Sequence, residues 1–249
     1  MSNDIATIRV ARYRPEKGPE PYYQDYKVPY TRDMVVLDAL NYIKNQLDGT
    51  LTYRWSCRMG VCGSCGANVD GHPKLTCASF LHEFKGRTLI VEPLSFFPVI
   101  KDLVVNMDDF MEKLVEVKPW IIREQELSPE KGEYKQSPEQ VDKYHQFSSC
   151  INCMLCYAAC PIYGLNEKFL GPAATALAYR YIEDSRDQGA AIRFPIVHDM
   201  EGVWECTLVG ECSVVCPKNV DPMLAIQKTK ILGATNSLKP TGKTMSQTK

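Results

Sequence analysis

The sequence predicts an α+β protein in two unlike parts followed by a polar tail. Alternating apolar residues mark strands in the first hundred positions, and helical patterning takes over beyond about Asn106. Eleven cysteines gather into three tight groups, one in the first part and two in the second. These observations divide the chain into a mixed strand-and-helix unit over 1–106, a helical unit over 107–232 and a tail over 233–249.

Each element has its own signal. Ile5 to Tyr13 alternates apolar and polar residues, with Ile8 and Val10 on one side, as a half-buried strand does. Tyr22 to Val28 supplies a partner strand. Thr31 or Asp33 is placed to cap a helix whose apolar face is Leu37, Leu40, Ile43 and Leu47, with Gly49 closing it. Asp70-Gly71 signals a hairpin between Ala67–Val69 and Lys74–Cys77. Thr88–Val91 reads as a further strand, stopped by Pro93. Asp108 or Asp109 is placed to cap a helix through Val117, which Pro119 ends. Ser128-Pro129-Glu130-Lys131-Gly132 and Ser137-Pro138 mark an irregular stretch. Helices are expected at about 139–147, 172–186 and 221–232. The residues beyond 232 are Lys, Thr, Ser, Gly and Gln with little apolar content, the composition of a disordered tail.

Composition narrows the class. A formal net charge of -1 gives no basic footprint for nucleic acid. An odd number of cysteines cannot all pair within one chain. Met1-Ser2-Asn3-Asp4-Ile5-Ala6 lacks the basic and apolar regions of a secretory signal. The expectation is a reducing compartment, where clustered cysteines serve metal or redox chemistry. No apolar run approaches the roughly 18–20 residues that cross a bilayer, so membrane contact has to come through a partner or a surface patch.

The first group, Cys57-x4-Cys62-x2-Cys65-x11-Cys77, begins with the spacing of plant-type [2Fe–2S] ferredoxins. Four thiolates, two per iron, satisfy a soft-ligand preference. Gly60, Gly63 and Gly66 let the loop turn tightly and bring backbone N–H groups near sulfur. Arg54 and Arg58 either offset the charge of a cluster or stand as ordinary solvated side chains. The rival readings of these cysteines are a zinc site or unrelated buried thiols, although zinc sites favour two paired C-x2-C knuckles.

The second group, Cys150-x2-Cys153-x2-Cys156-x3-Cys160-Pro161, is a complete ferredoxin run. The third repeats it as Cys206-x2-Val209-x2-Cys212-x3-Cys216-Pro217, with a valine in place of one cysteine. In two-cluster ferredoxins the fourth cysteine of each run ligates the other cluster. Crossed in that way, Cys150, Cys153, Cys156 and Cys216 form a full [4Fe–4S] set. Cys160, Cys206 and Cys212 form a three-thiolate set, for which [3Fe–4S] is the natural product. A [4Fe–4S] cluster with water or hydroxide on the fourth iron is the alternative. Pro161 and Pro217, in register with the cysteines, strengthen the repeat and shape the chain leaving each run.

Other residues carry less. His72, His82, His145 and His198 share no metal-ligand spacing and are expected at the surface or in hydrogen bonds. Tyr179, Tyr181 and the stripe Ala174, Leu177 and Ala178 are expected to pack helix on helix. Lys228 and Lys230 lie one helix beyond Cys216 and read as a solvated face. There is no nucleophile–base pair, phosphate loop or nucleotide fingerprint. A chain that carries electrons without a site for organic chemistry implies a partner holding a flavin or another two-electron cofactor.

Taken together, Ser56-Cys57-Arg58-Met59-Gly60-Val61-Cys62-Gly63-Ser64-Cys65-Gly66, the run from Cys150 to Pro161 and Cys206-Thr207-Leu208-Val209-Gly210-Glu211-Cys212 closely resemble the iron–sulfur subunit of the succinate dehydrogenase/fumarate reductase family. The resemblance covers nearly the whole chain. It implies an N-terminal β-grasp, plant-type [2Fe–2S] ferredoxin domain and an all-α, bacterial-type ferredoxin domain with [4Fe–4S] and [3Fe–4S]. It also implies a flavoprotein partner with covalent FAD, one or two membrane-anchor subunits, and a peripheral place on the cytoplasmic face of the cell membrane. Single electrons would then pass between flavin and quinone. Cys160-Pro161-Ile162-Tyr163-Gly164-Leu165-Asn166 resembles the fumarate reductase branch. Lys228 falls where the ubiquinone branch often has histidine, and Lys230 matches a lysine that the fumarate reductase branch places near menaquinone. Two rivals stand beside this reading: a relay for a different flavin-dependent organic-acid oxidoreductase, and a zinc-binding adaptor module.

Overall fold

The computed structural model describes residues 4–18, 20–124 and 126–237. Strands β1 (Asp4–Arg12) and β2 (Tyr22–Tyr30) pair antiparallel, with Ile8 opposite Tyr26. Alternation puts Ile8, Val10 and Arg12 on the inner face. Helix α1 (Val36–Tyr42) starts later than Thr31 or Asp33. The Asp38 carboxylate accepts the Val35 N–H at 3.0 Å, while the Thr31 hydroxyl donates to Asp33 instead. Leu37, Leu40 and Ile43 are buried as expected, but Leu47 is 48% exposed. Over Ile43–Leu47 the chain widens into a π-type turn, closed by Asp48 N–H on the Ile43 carbonyl at 2.7 Å. That turn takes Leu47 off the 3.6-residue face.

The predicted hairpin is β3 (Gly66–Val69) and β4 (His72–Leu75). Asp70 and Gly71 both take positive φ, as a two-residue hairpin turn of matching twist requires. Strand β5 (Leu89–Glu92) inserts between β1 and β3, giving the order β2-β1-β5-β3-β4. It runs parallel to β1 and antiparallel to β3. Leu40 of α1 and Ile43 of the turn after it join Ile8, Val28, Val69 and Val91 in one apolar core on this sheet. A second, small hairpin of β6 (Val99–Lys101) and β7 (Val104–Val105) follows. It was not predicted, because two or three residues are too few to show alternation.

Helix α2 (Asp108–Glu116) begins where expected, but Met107 holds the cap position, and Asn106 ahead of it accepts the Asp108 N–H on Oδ1 at 2.8 Å. Asp109 instead binds Lys113 and the Tyr163 hydroxyl. The helix expected over 139–147 is broken. α3 (Pro138–Asp142) has a Ser137/Gln140 capping box, and a separate 3₁₀ turn covers His145–Ser149. Short helices α4 (Leu155–Ala158) and α5 (Pro161–Leu165) follow, then α6 (Pro172–Ile182). α6 stops short of 186, and just beyond it the Asp184 carboxylate accepts the Arg186 N–H and turns the chain. α7 (Ala190–Val197), α8 (Glu211–Val214) and α9 (Pro222–Ser237) complete the order. α9 runs past 232, so positions 233–237 of the expected tail are helical; 238–249 lie outside the described residues.

The two units share a core. Leu75, Leu94 and Phe97 from the first pack with Phe110, Tyr157 and Phe169 of the second. Tyr157 meets Phe110 and Tyr163 edge to face, each at 4.9 Å between ring centres. Such pairs add about 0.5–1.5 kcal/mol beyond their burial. Tyr179 packs edge to face on Phe147, and Ala174 and Ala178 are fully buried, as the stripe on α6 predicted. Among the described residues no helix is long and apolar enough to cross a membrane.

Candidate metal centres

The first cysteine loop joins α1 to β3. Arg58, Gly60 and Gly63 all have positive φ, which turns backbone N–H groups toward the loop's interior. Cys57 Sγ accepts N–H groups from Met59, Val61 and Cys62 at 3.3–3.4 Å. These donors hold the Cys57 thiol down, to about 6. Cys57 N–H in turn donates to Cys62 Sγ at 3.5 Å. Cys77 arrives on the 3₁₀ turn Thr76–Ala78 that follows the hairpin. Burial, then a hydrogen bond with Cys65, pushes its thiol up to about 11. All four predicted cysteines therefore converge. Arg54 donates to the Val105 carbonyl at 2.8 Å and anchors the loop, whereas Arg58 lies over the Trp55 ring.

The second and third groups repeat each other in backbone as well as in sequence. Asn152 and Met154 have positive φ in one run, and Leu208 and Gly210 have it at the matching positions of the other. A left-handed conformation is uncommon for Leu and Met, so its recurrence belongs to the motif. Leu208 N–H donates to Cys206 Sγ at 3.4 Å, and the Asn152 N–H does the same for Cys150. α4 and α8 then start at equivalent points and pack on each other.

This packing brings the cysteines together across the runs. Cys216 lines one cavity with Cys150, Cys153 and Cys156. Burial first, then the nearness of these thiols to one another, holds Cys156 well above its ordinary range and Cys153 at about 11. Cys160 sits away from its own run, beside Cys206. Cys212, pushed up to about 12 mainly by burial, has Cys160 and Cys206 as neighbours. Val209 occupies the position equivalent to Cys153 and is 59% exposed.

Buried soft donors, with N–H groups aimed at sulfur, suit iron–sulfur clusters. Loading Cys77, Cys153, Cys156 and Cys212 would have to displace protons from thiols that burial pushes up. Among the described residues no three His, Cys, Asp or Glu side chains are arranged to hold a single metal ion. A multi-iron cluster spreads its thiolates more widely than one ion does, so the two observations agree.

Beside the third group, Lys230 donates from Nζ to the Cys206 carbonyl at 2.7 Å and lies 5.8 Å from the centre of the Trp204 ring. It is half-buried rather than a solvated helix face. Lys228 faces Tyr179. His198 departs from expectation: it stacks on Phe194 at 5.1 Å and packs near Trp204, and neither ring nitrogen has a hydrogen-bond partner. Burial lowers its pKa. Gly233 gives the imidazole room, since a Cβ there would stand 2.1 Å from it. Trp204 went unread in the sequence; its only signal was an aromatic residue two positions before a cysteine.

Residues 7–112 match the family described as "2Fe-2S iron-sulfur cluster binding domain", and residues 146–220 match "4Fe-4S dicluster domain". These matches define an iron–sulfur protein. The "Fumarate reductase iron-sulfur subunit" of Mycobacterium tuberculosis is 56% identical over 95% of this chain and 96% of its own length. That of Haemophilus influenzae is 48% identical over 97% of this chain and 100% of its own. A solved chain of the "Mycobacterium smegmatis Sdh1 complex in the apo form" superposes with a TM-score of 0.87 at 28% identity, covering 96% of this chain and 100% of that one. The chain belongs to the family of iron–sulfur subunits of fumarate reductase and succinate dehydrogenase, the electron-transfer components of complex II.

Proposed function

We propose that this chain relays single electrons between an FAD-bearing flavoprotein subunit and menaquinone, or a related quinone, at a membrane anchor. Its first unit is then a β-grasp, plant-type ferredoxin domain over 1–106, and its second an all-α ferredoxin domain over 107–232. Cys57, Cys62, Cys65 and Cys77 hold [2Fe–2S]. Cys150, Cys153, Cys156 and Cys216 hold [4Fe–4S], and Cys160, Cys206 and Cys212 hold [3Fe–4S]. When bound, these clusters supply one-electron redox chemistry at three places along the chain. The chain itself positions the thiolates, shields them with the shared core and leaves substrate chemistry to the flavoprotein. One or two anchor subunits carry the complex on the cytoplasmic face of the membrane.

The observation that carries this reading is the exchange of Cys160 and Cys216 between the two runs. It is the arrangement that crossed ligation requires. Val209 supports the three-iron assignment within a match described for a four-iron dicluster, because its side chain has no donor atom. Lys230 supports a quinone end at the third group, as a cation beside Trp204 and Cys206.

Purification of the intact membrane complex tests the proposal. It should be brown, carry about nine irons per chain, co-purify with a flavin subunit and couple quinol to fumarate or succinate to quinone. A colourless, zinc-loaded complex would sink the relay, and an active flavin partner for another organic acid would reassign it.

A further inference from the structure

Two glycines of the first cysteine loop lie against the backbone of the second group. A Cβ at Gly63 would stand 2.6 Å from the Ile151 carbonyl oxygen and 3.1 Å from both Cα and Cβ of Cys153. One at Gly66 would stand 3.1 Å from the Cys153 carbonyl oxygen, 3.2 Å from Leu155 Cδ2 and 3.3 Å from Leu94 Cδ1. Both therefore meet the same residue, Cys153. Gly60, in the same loop with φ +67, meets nothing within 4 Å.

The three glycines thus separate by cause. Gly60 is glycine for the turn, its N–H reaching Cys77, and it has no contact with the second group. Gly63, with φ +75, serves both the turn and the contact. Gly66 opens β3 without positive φ, so the turn does not require it, and glycine weakens a strand unless another backbone comes close. Close approach is what Gly66 provides. The space around it is lined from both groups, by Cys62 and Ser64 on one side and Asn152 and Met154 on the other.

We infer that Gly63 and Gly66 set the electron-transfer gap between the first and second cysteine groups, by letting the two ligand-bearing backbones touch at Cys153. The inference rests on the cluster assignment proposed above. Electron tunnelling weakens steeply with added distance, and more steeply through space than along bonds. From Cys62 or Cys65 to Cys153 the path needs one short jump between touching backbones. One electron is lost at one site and gained at the other, with no bond made or broken. A methyl group at position 66 forces neighbours back by a few tenths of an ångström. At position 63 the loops have to part further.

The test uses the purified complex carrying Gly66→Ala, with iron content and EPR relaxation of the reduced first centre as readouts. Relaxation is compared with the second centre oxidised and reduced, and electron transfer between them is timed after rapid freezing. The expected result is full iron, a weaker relaxation enhancement and transfer slowed severalfold. Full iron with both quantities unchanged overturns the inference. Gly60→Ala carries the left-handed penalty without the contact, and should keep the wild-type enhancement where Gly63→Ala loses it; equal loss in both overturns the inference. If Gly66→Ala fails to load, the Gly60→Ala and Gly63→Ala pair decides. In wild type the first centre should relax faster when the second is reduced, and equal relaxation overturns the inference, because the centres then do not sense each other across this contact. Absence of the three cluster signals in wild type would instead strike the assignment beneath it.

Discussion

Arg12 and Asp102 form an ion pair at 2.9 Å in which neither side chain is exposed. Arg12 occupies an inward position of β1 that alternation reserves for an apolar residue. Asp102 also accepts the Tyr13 N–H at 3.1 Å and the Thr52 N–H at 2.9 Å. It therefore ties the end of β1, the turn between β6 and β7, and the segment leading into the first cysteine loop. Asp102→Ala should cost about 1–3 kcal/mol, because Arg12 keeps Asp48 at 2.6 Å but loses one buried partner, and the Tyr13 and Thr52 N–H groups lose their acceptor. In urea, visible absorption of the first centre should bleach at lower concentration than in wild type. An unshifted midpoint would mean that the pair is not structural.

Val209→Cys restores the ligand that the repeat lacks. EPR of the oxidised wild-type protein should show a three-iron signal, and the variant should lose it in favour of a fourth iron. A signal that persists unchanged in Val209→Cys would show that this position does not control the cluster.

Lys230→Ala should slow quinol-linked turnover more than dye-linked activity at the flavin. Its Nζ also holds the Cys206 carbonyl, so iron content is measured alongside. Equal loss in both assays at full iron would leave the residue without a quinone role.

Gly171 and Gly164 offer a contrast in packing. A Cβ at Gly171 would stand 2.3 Å from the Tyr157 ring, which is fully buried and bonded to the Leu170 carbonyl. With φ +89 added, Gly171→Ala should destabilise by at least about 2 kcal/mol. The three atoms nearest a Cβ at Gly164 all belong to the Phe96 ring, which is 46% exposed and has solvent to move toward. Gly164→Ala, inside α5, should fall within about 1 kcal/mol of wild type. Similar Tm values for both variants would refute the packing argument.

Asp184 gives a pH dependence. Burial raises its pKa, but hydrogen bonds from Arg186 and the charges of Arg186 and Arg180 outweigh it and leave the pKa lowered. A carboxylate depressed on folding stabilises above its unfolded pKa of about 3.9 and loses that contribution as pH falls through the folded value. Asp184→Asn should cost about 1.5–3 kcal/mol at pH 7. Denaturation midpoints of variant and wild type should converge in acid below pH ~4; a constant difference would count against the ionic account.

The elements readable in the sequence were those that show a period or carry a turn, cap or proline signal: β1, β2, the core of α1, the hairpin flagged by Asp70-Gly71, β5, α2, α6 and α9. α4, α5 and α8 are four or five residues each, below the length at which periodicity appears. They hold their places through the cysteine motifs. The grouping of cysteines was legible because spacing encodes it. The contact of Gly66 with Cys153 was not, since nothing in a glycine's neighbours states which distant backbone it admits. His198 was misjudged for a related reason: its burial depends on Phe194, Trp204 and Gly233, which come together only in the fold.

Cys65, Cys77, Cys153, Cys156, Cys160 and Cys212 all belong to the apolar core that joins the two units. On the cluster assignment proposed above, packing and loading are therefore coupled. Closure of this core buries six of the eleven sulfurs alongside Leu94, Phe110 and Tyr157. Iron that arrives before closure meets more open sulfur than iron that arrives after it.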